Sequence, residues 1–286
     1  MQAIILGTVL VAGTGLVLGL ILAVISKVMA VPVDPKQKEI REILPGANCG
    51  ACGYNTCDGY STVLADGEES DTGLCKPGGA EVAQELADYL GVEFGGVKRT
   101  TATVMCRGDN NMTTKRADYV GIETCHMAAQ IEGGNTSCRY GCLGFGDCEQ
   151  VCQYDAIHVK NGVAVVDPSK CTSCEMCVVT CPQQIIEILP MEKPVSVVIC
   201  RNEDKAAAAN KVCKASCIGC RQCVRVCPED CIDMVNNRAV IDYARCTHCG
   251  KCQEVCPHDC IMSLLPYGKA DGEARRDPAD LASREA

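Results

Sequence analysis

The sequence predicts an α+β chain with little regular structure: a membrane anchor, a small four-cysteine domain and two tandem units that each hold two metal clusters. Three observations predict it. Residues 3–26 carry no charge, 26 of the 286 residues are cysteine, and one cysteine spacing recurs seventy-five residues further along the chain.

Composition narrows the class first. Aromatic residues make up 3% of the chain and tryptophan is absent, which excludes one large hydrophobic core. Cysteine therefore holds small domains together, as disulfides or as metal ligands. The formal charge of −9 counts thiols as neutral, so it becomes more negative with bound thiolates and disfavours nucleic acid as a partner.

The run "AIILGTVLVAGTGLVLGLILAVIS" is long enough to cross roughly 30 Å of hydrocarbon as a helix. No Lys or Arg precedes it and no Ala-x-Ala site follows, which argues for an anchor over a cleaved signal peptide. Lys27, Lys36, Lys38 and Arg41 lie beyond its end, so the large domain is expected on the cytoplasmic side of the cell (inner) membrane, behind a single pass. A reducing compartment then disfavours structural disulfides. Gly13, Gly15 and Gly19 leave a small-residue face for packing on another membrane helix. The span itself lacks the ionisable groups that an ion path needs. After the anchor (1–30), Asp34 and Pro35 read as an N-cap and first turn of a stalk helix that Pro45-Gly46 ends.

The stalk opens a domain over 31–95. Its spacing is Cys49-x2-Cys52-x4-Cys57-x17-Cys75, enough for one four-iron cluster, with zinc as the competing occupant. Gly79 to Leu90 follows as a helix with Val82, Leu86, Tyr89 and Leu90 on one packing face.

Two units are expected at 96–199 and 200–267, with a polar tail at 268–286. The run Cys246-x2-Cys249-x2-Cys252-x3-Cys256-Pro257 places three thiolates on a tight loop and sends the fourth to a neighbouring cluster. Zinc fingers need only two Cys-x2-Cys pairs, so the signal favours iron–sulfur over zinc. Copies stand at Cys171-x2-Cys174-x2-Cys177-x3-Cys181 and Cys217-x2-Cys220-x2-Cys223-x3-Cys227. Crossed ligation groups Cys217, Cys220 and Cys223 with Cys256, and Cys246, Cys249 and Cys252 with Cys227. The offset of seventy-five maps Cys152, Cys148, Cys142, Cys138 and Cys125 onto Cys227, Cys223, Cys217, Cys213 and Cys200.

One position breaks the register, because Phe145 stands where the second unit has Cys220. Recruiting Cys138 gives Cys138, Cys142, Cys148 and Cys181 as one set; Cys152, Cys171, Cys174 and Cys177 form its partner. Cys106, Cys125, Cys200 and Cys213 remain as a complete four, which adds a sixth [4Fe-4S] cluster to the five above. Cys231 and Cys260 read as buried core thiols. "AIHVKNGVAVVD" and "CIDMVNNRAVID" each place a two-residue turn between short β-branched runs.

No Gly-x-Gly-x-x-Gly motif follows a strand, and "GCLGFG" lies inside a cysteine loop. His126, His158, His248 and His258 are scattered, and no triad or carboxylate pair stands out. The chain reads as an electron conductor whose substrate chemistry lies elsewhere.

The uncharged helix, the Cys49/Cys52/Cys57/Cys75 box, "CRYGCLGFGDC" and the repeated ferredoxin motifs, in that order, closely resemble the B subunit of the Rnf complex over nearly the whole chain. The resemblance implies an ion-pumping membrane enzyme that oxidises reduced ferredoxin, reduces NAD⁺ and moves Na⁺ or H⁺. This chain would be its iron–sulfur relay, with soluble ferredoxin and other membrane subunits as partners and no complete active site of its own. Arg221, Arg225 and Lys251 are candidates for a ferredoxin landing site. Competing readings are a membrane-tethered polyferredoxin serving a hydrogenase or other reductase, and a non-redox protein whose Cys49 box holds zinc or touches a corrinoid protein.

Overall fold

A computed structural model of the chain describes residues 2–28, 34–131, 133–191 and 194–264. The tail at 268–286 lies outside them. Helix α1 (Gln2–Val28) contains an apolar span, Ile5–Lys27, with no part buried against the rest of the chain. By length and composition it can cross a membrane.

Helix α2 (Pro35–Ile43) begins where Asp34 caps it, the carboxylate accepting the Lys36 N–H at 2.9 Å. It is not a free stalk. Ile40 is fully buried with Tyr60 and Leu64 of α3 (Cys57–Asp66) and Leu86 of α4 (Gly79–Leu90), and Arg41 pairs with Asp58 at 3.0 Å. An apolar residue at the middle of a nine-residue helix is a packing face, and the nearest apolar surface is its own domain. On α4, Val82 and Leu90 flank that core, whereas Tyr89 sits at the rim and donates to Glu39 at 2.6 Å. Cys75 is buried in the same core, so this small domain packs around its own cysteines.

The rest is built twice. The first half holds β1 (Thr100–Val104), α5 (Cys125–Ala129), α6 (Asp147–Gln150), β2 (Ile157–Lys160), β3 (Val163–Val166), α7 (Met176–Thr180) and β4 (Ile186–Pro190). The second holds β5 (Val195–Val198), α8 (Ala206–Val212), α9 (Gln222–Val226), β6 (Ile232–Val235), β7 (Arg238–Ile241), α10 (Lys251–Glu254) and β8 (Ile261–Leu264). Four antiparallel pairs result: β1 with β4, β2 with β3, β5 with β8 and β6 with β7.

Both hairpins close with two residues at positive φ, Asn161 (48°) with Gly162 (82°) and Asn236 (47°) with Asn237 (64°). That is the type I′ turn, whose twist suits the flanking strands and whose left-handed residues are those Asn and Gly adopt most readily. Strand β5 lies before residue 200 in sequence yet pairs with β8. Met105, Leu189, Val195, Val197, Ile199 and Met262 form a buried seam where the two ribbons meet.

The offset of seventy-five relates β2 to β6, β3 to β7, β4 to β8 and α7 to α10, but β1 starts ninety-five residues before β5. The difference arises in the extra segment, 107–137, which is longer than its counterpart 201–212 in the second half and returns the chain to the first half before Cys138.

Candidate metal centres

In all four cysteine loops the backbone turns left-handed at the same two places: Gly144 and Gly146, Ser173 and Glu175, Gly219 and Arg221, His248 and Gly250. Alternation of right- and left-handed residues points successive N–H groups inward, the concavity that binds anions and iron–sulfur centres. Four of these eight residues are not glycine, and each such conformation costs on the order of 1–3 kcal/mol unless its surroundings enforce it. Glycine is obligatory at two of them. A Cβ on Gly144 would lie 2.6 Å from the Gly162 carbonyl oxygen, and one on Gly219 2.8 Å from that of Asn237. Each loop thus seats directly on a hairpin turn.

The cysteines gather as fours. Cys217, Cys220, Cys223 and Cys256 line one pocket, and Cys227, Cys246, Cys249 and Cys252 another. In the first half Cys177 lies among Cys171, Cys174 and Cys152. Cys75 lies near Cys57, Cys52 and Cys49.

The remaining two groups differ from the sequence expectation by one exchange. Cys125, not Cys138, lines the pocket of Cys142, Cys148 and Cys181. Cys138 instead joins Cys106, Cys200 and Cys213. Two contacts explain it. Phe145 packs edge-on against Tyr119 of the extra segment, centroids 5.2 Å apart, and Asp147 accepts the N–H groups of Cys125 and His126 at 2.7 and 3.1 Å. The segment is thereby held with Cys125 over the place where Phe145 supplies no thiol. Cys138 is freed, and it faces Cys213, its counterpart seventy-five residues on.

The structure also pairs Cys106, not Cys125, with Cys200. Cys106 follows β1 by two residues and accepts the Gly108 and Cys142 N–H groups, both at 3.4 Å. Cys200 follows β5 by two residues and accepts those of Asn202 (3.4 Å) and Cys217 (3.3 Å). The group of Cys106, Cys138, Cys200 and Cys213 therefore takes two equivalent cysteines from each half.

These environments fit thiolate ligands of clusters. Backbone N–H groups also reach Cys171 from Ala102, Cys152 from Ala156 and Cys246 from His248, each at 3.4 Å. In the metal-free chain burial pushes Cys75, Cys200, Cys213 and Cys223 up to about 11, and Cys148 and Cys177 to about 12. Coordination reverses that, because a bound cation deprotonates its thiol outright. Among the described residues no three His, Cys, Asp or Glu side chains converge on a single ion. Zinc needs four ligands about 2.3 Å from one centre, whereas a cubane takes one thiolate on each of four irons.

Three features had no sequence signal. Asn202, 1% exposed, donates its amide to Cys138 at 3.5 Å. Asp147 anchors Cys125; burial opposes its charge, but the Cys125 and His126 N–H groups hold its carboxyl below the usual range. Cys231 and Cys260 are buried as expected, yet their sulfurs lie 3.4 Å from Cys227 and Cys256. The thiol of Cys260 draws Cys217 and Cys256 down to about 6 and about 5. The histidines serve other partners: His126 meets Asp147, His158 meets Glu149, and His258 meets the Lys214 carbonyl.

The groups follow one another in space. Cys49 lies in the field of Cys174, and Tyr154 in that of Cys174, Cys49 and Cys75. Cys148 lies in the field of Cys177 as well as of Cys142, Cys125 and Cys181. Cys142 donates its N–H to Cys106, and Cys217 donates its own to Cys200. Cys249, in the group with Cys227, Cys246 and Cys252, is exposed.

Comparison with known families agrees with this geometry. Residues 44–77 match a family described as a putative Fe-S cluster, residues 164–187 a 4Fe-4S binding domain, and residues 216–260 a 4Fe-4S dicluster domain. The chain is 40% identical over 257 residues to the B subunit of the Na(+)-translocating ferredoxin:NAD(+) oxidoreductase complex of Acetobacterium woodii, covering 90% of this chain and 77% of that one. It is 35% identical to the proton-translocating counterpart of Clostridium ljungdahlii, covering 85% of each. It is 34% identical to the B subunit of the ion-translocating oxidoreductase complex of Methanosarcina acetivorans, over 75% of this chain and 81% of that one.

Proposed function

Because the chain belongs to the family of B subunits of ion-translocating ferredoxin:NAD(+) oxidoreductase complexes, we propose that it carries six [4Fe-4S] clusters in file, from the membrane-proximal box to an exposed end. It is an iron–sulfur electron-transfer component of such a complex and not a complete enzyme alone.

The proposed ligand sets are Cys49, Cys52, Cys57 and Cys75; Cys152, Cys171, Cys174 and Cys177; Cys125, Cys142, Cys148 and Cys181; Cys106, Cys138, Cys200 and Cys213; Cys217, Cys220, Cys223 and Cys256; and Cys227, Cys246, Cys249 and Cys252. When bound, each cluster supplies a site that gains and loses one electron. The protein's part is to hold the thiolates, aim N–H groups at the sulfurs and exclude water, which together set the potential. The anchor, the 31–95 domain and two ferredoxin-like units make up the chain, with the seam between units drawn at 191–194 because β5 pairs with β8. We place the large domain on the cytoplasmic side, from the lysines and arginine after α1.

The observation that supports a continuous relay is the group of Cys106, Cys138, Cys200 and Cys213, which draws equally on both halves and is hydrogen-bonded to the cysteine loops on either side. Reduced ferredoxin is the proposed donor at the exposed Cys249 end, where Arg221, Arg225 and Lys251 are solvent-facing.

The test is iron and acid-labile sulfide per chain in protein purified without oxygen, followed by addition of reduced ferredoxin. About 24 irons, reducible by ferredoxin, supports the relay. About 20 removes one site, and bound zinc without sulfide overturns the reading.

A further inference from the structure

Each cluster site of the second half has a fifth cysteine that the ligand sets leave unused. Cys231 follows Cys227 by four residues and Cys260 follows Cys256 by four. They are 2% and 3% exposed, and each Sγ lies 3.4 Å from that of the preceding cysteine. Cys231 also lines one pocket with Cys246, and Cys260 one pocket with Cys217. The seventy-five-residue equivalents in the first half are Ala156 and Ile185, which are likewise buried and have no side-chain donor.

A thiol carries its proton at neutral pH, and its S–H is a weak donor that can be shared between two acceptors. Directed at a ligand sulfur, it favours the more negative, reduced cluster over the oxidised one. We propose that Cys231 and Cys260 are positioning residues that raise the reduction potentials of the two second-unit clusters by donating S–H hydrogen bonds to their ligand sulfurs. The first unit lacks this device. The inference rests on the ligand sets proposed above. One electron enters from the reductant in each case, no bond forms or breaks, and the thiol keeps its proton.

The experiment is a dithionite titration of the full-length, anaerobically purified chain, read by spin-quantified electron paramagnetic resonance with iron analysis alongside. In Cys231→Ala and in Cys260→Ala, the reduction equilibrium of one cluster should fall about fivefold, a ~40 mV decrease at 59 mV per decade, with iron unchanged. Cys231→Ser and Cys260→Ser keep a donor and should hold the potential at or above that of the parent. Ala156→Cys should raise one first-unit potential. These two kinds of variant carry the test should an alanine variant fail to assemble.

Unshifted potentials in iron-replete alanine variants overturn the inference. So does loss of about four irons in both the Ala and Ser variants, because the thiol would then be a ligand. Parent protein without iron sinks the ligand sets themselves, and the inference with them.

Discussion

Phe145 shows how one side chain can redirect a metal site. Its ring cannot ligate, but it packs on Tyr119 and so helps seat the segment that delivers Cys125. Cys125→Ala should therefore cost about four irons per chain, and the double variant Cys125→Ala with Phe145→Cys should regain them by restoring the repeat's own spacing. Iron analysis of the pair decides it; if the double variant stays low, the equivalence of Phe145 and Cys220 is not functional. Gly219→Ala makes a second residue-scale prediction. Its Cβ would lie 2.8 Å from the Asn237 oxygen at a φ of 64°, so backbone must move and a loss on the order of 1–3 kcal/mol is expected. A thermal melt of the iron-loaded protein measures it.

Among the elements, the two type I′ hairpins are the most local, each specified by two turn residues and short β-branched runs. Helix α2 is the opposite case. Its cap and first turn are written in Asp34 and Pro35, but whether it stands free or packs depends on Ile40, whose partners come from two later helices. Ile40→Ala should destabilise the small domain by about 2–5 kcal/mol. Cys75 shares that core, so the cluster of the Cys49 box should become easier to strip with a chelator, while the other sites keep their iron. Equal chelation kinetics in variant and parent would contradict that coupling. Thr124, whose hydroxyl accepts the Met127 N–H at 3.3 Å, caps the turn that presents Cys125. Its replacement by Ala should cost about 1 kcal/mol at that site.

At the scale of the whole molecule, the cores are small and several are made partly of cysteine. Metal-binding energy is then folding energy. Removing iron with a strong chelator under denaturant should abolish the cooperative transition seen by circular dichroism, and a metal-free chain that melts as sharply as the loaded one would refute this. Helix α1 is the exception, since none of its span is buried against the remainder. Deleting residues 2–28 should release the protein from membranes with its iron content unchanged.

The sequence by itself determined what a recurring spacing or a contiguous run of residues specifies. The cysteine loops, the hairpin turns, the apolar span and the two caps are patterns of this kind, whose spacing is also their geometry, and the repeated motif pairs each fourth cysteine with the neighbouring loop. Tertiary structure alone decided which of Cys125 and Cys138 completes which group. That choice depends on how residues 107–137 fold back, through the Phe145–Tyr119 contact and the Asp147 hydrogen bonds, and such long-range contacts leave no period in the sequence. It also decided that β5 crosses the apparent unit boundary and that Asn202, Cys231 and Cys260 stand beside sulfurs of the four-cysteine groups. A side chain's value as a hydrogen-bond donor depends on what it faces, and what it faces is fixed only when the two halves close on each other.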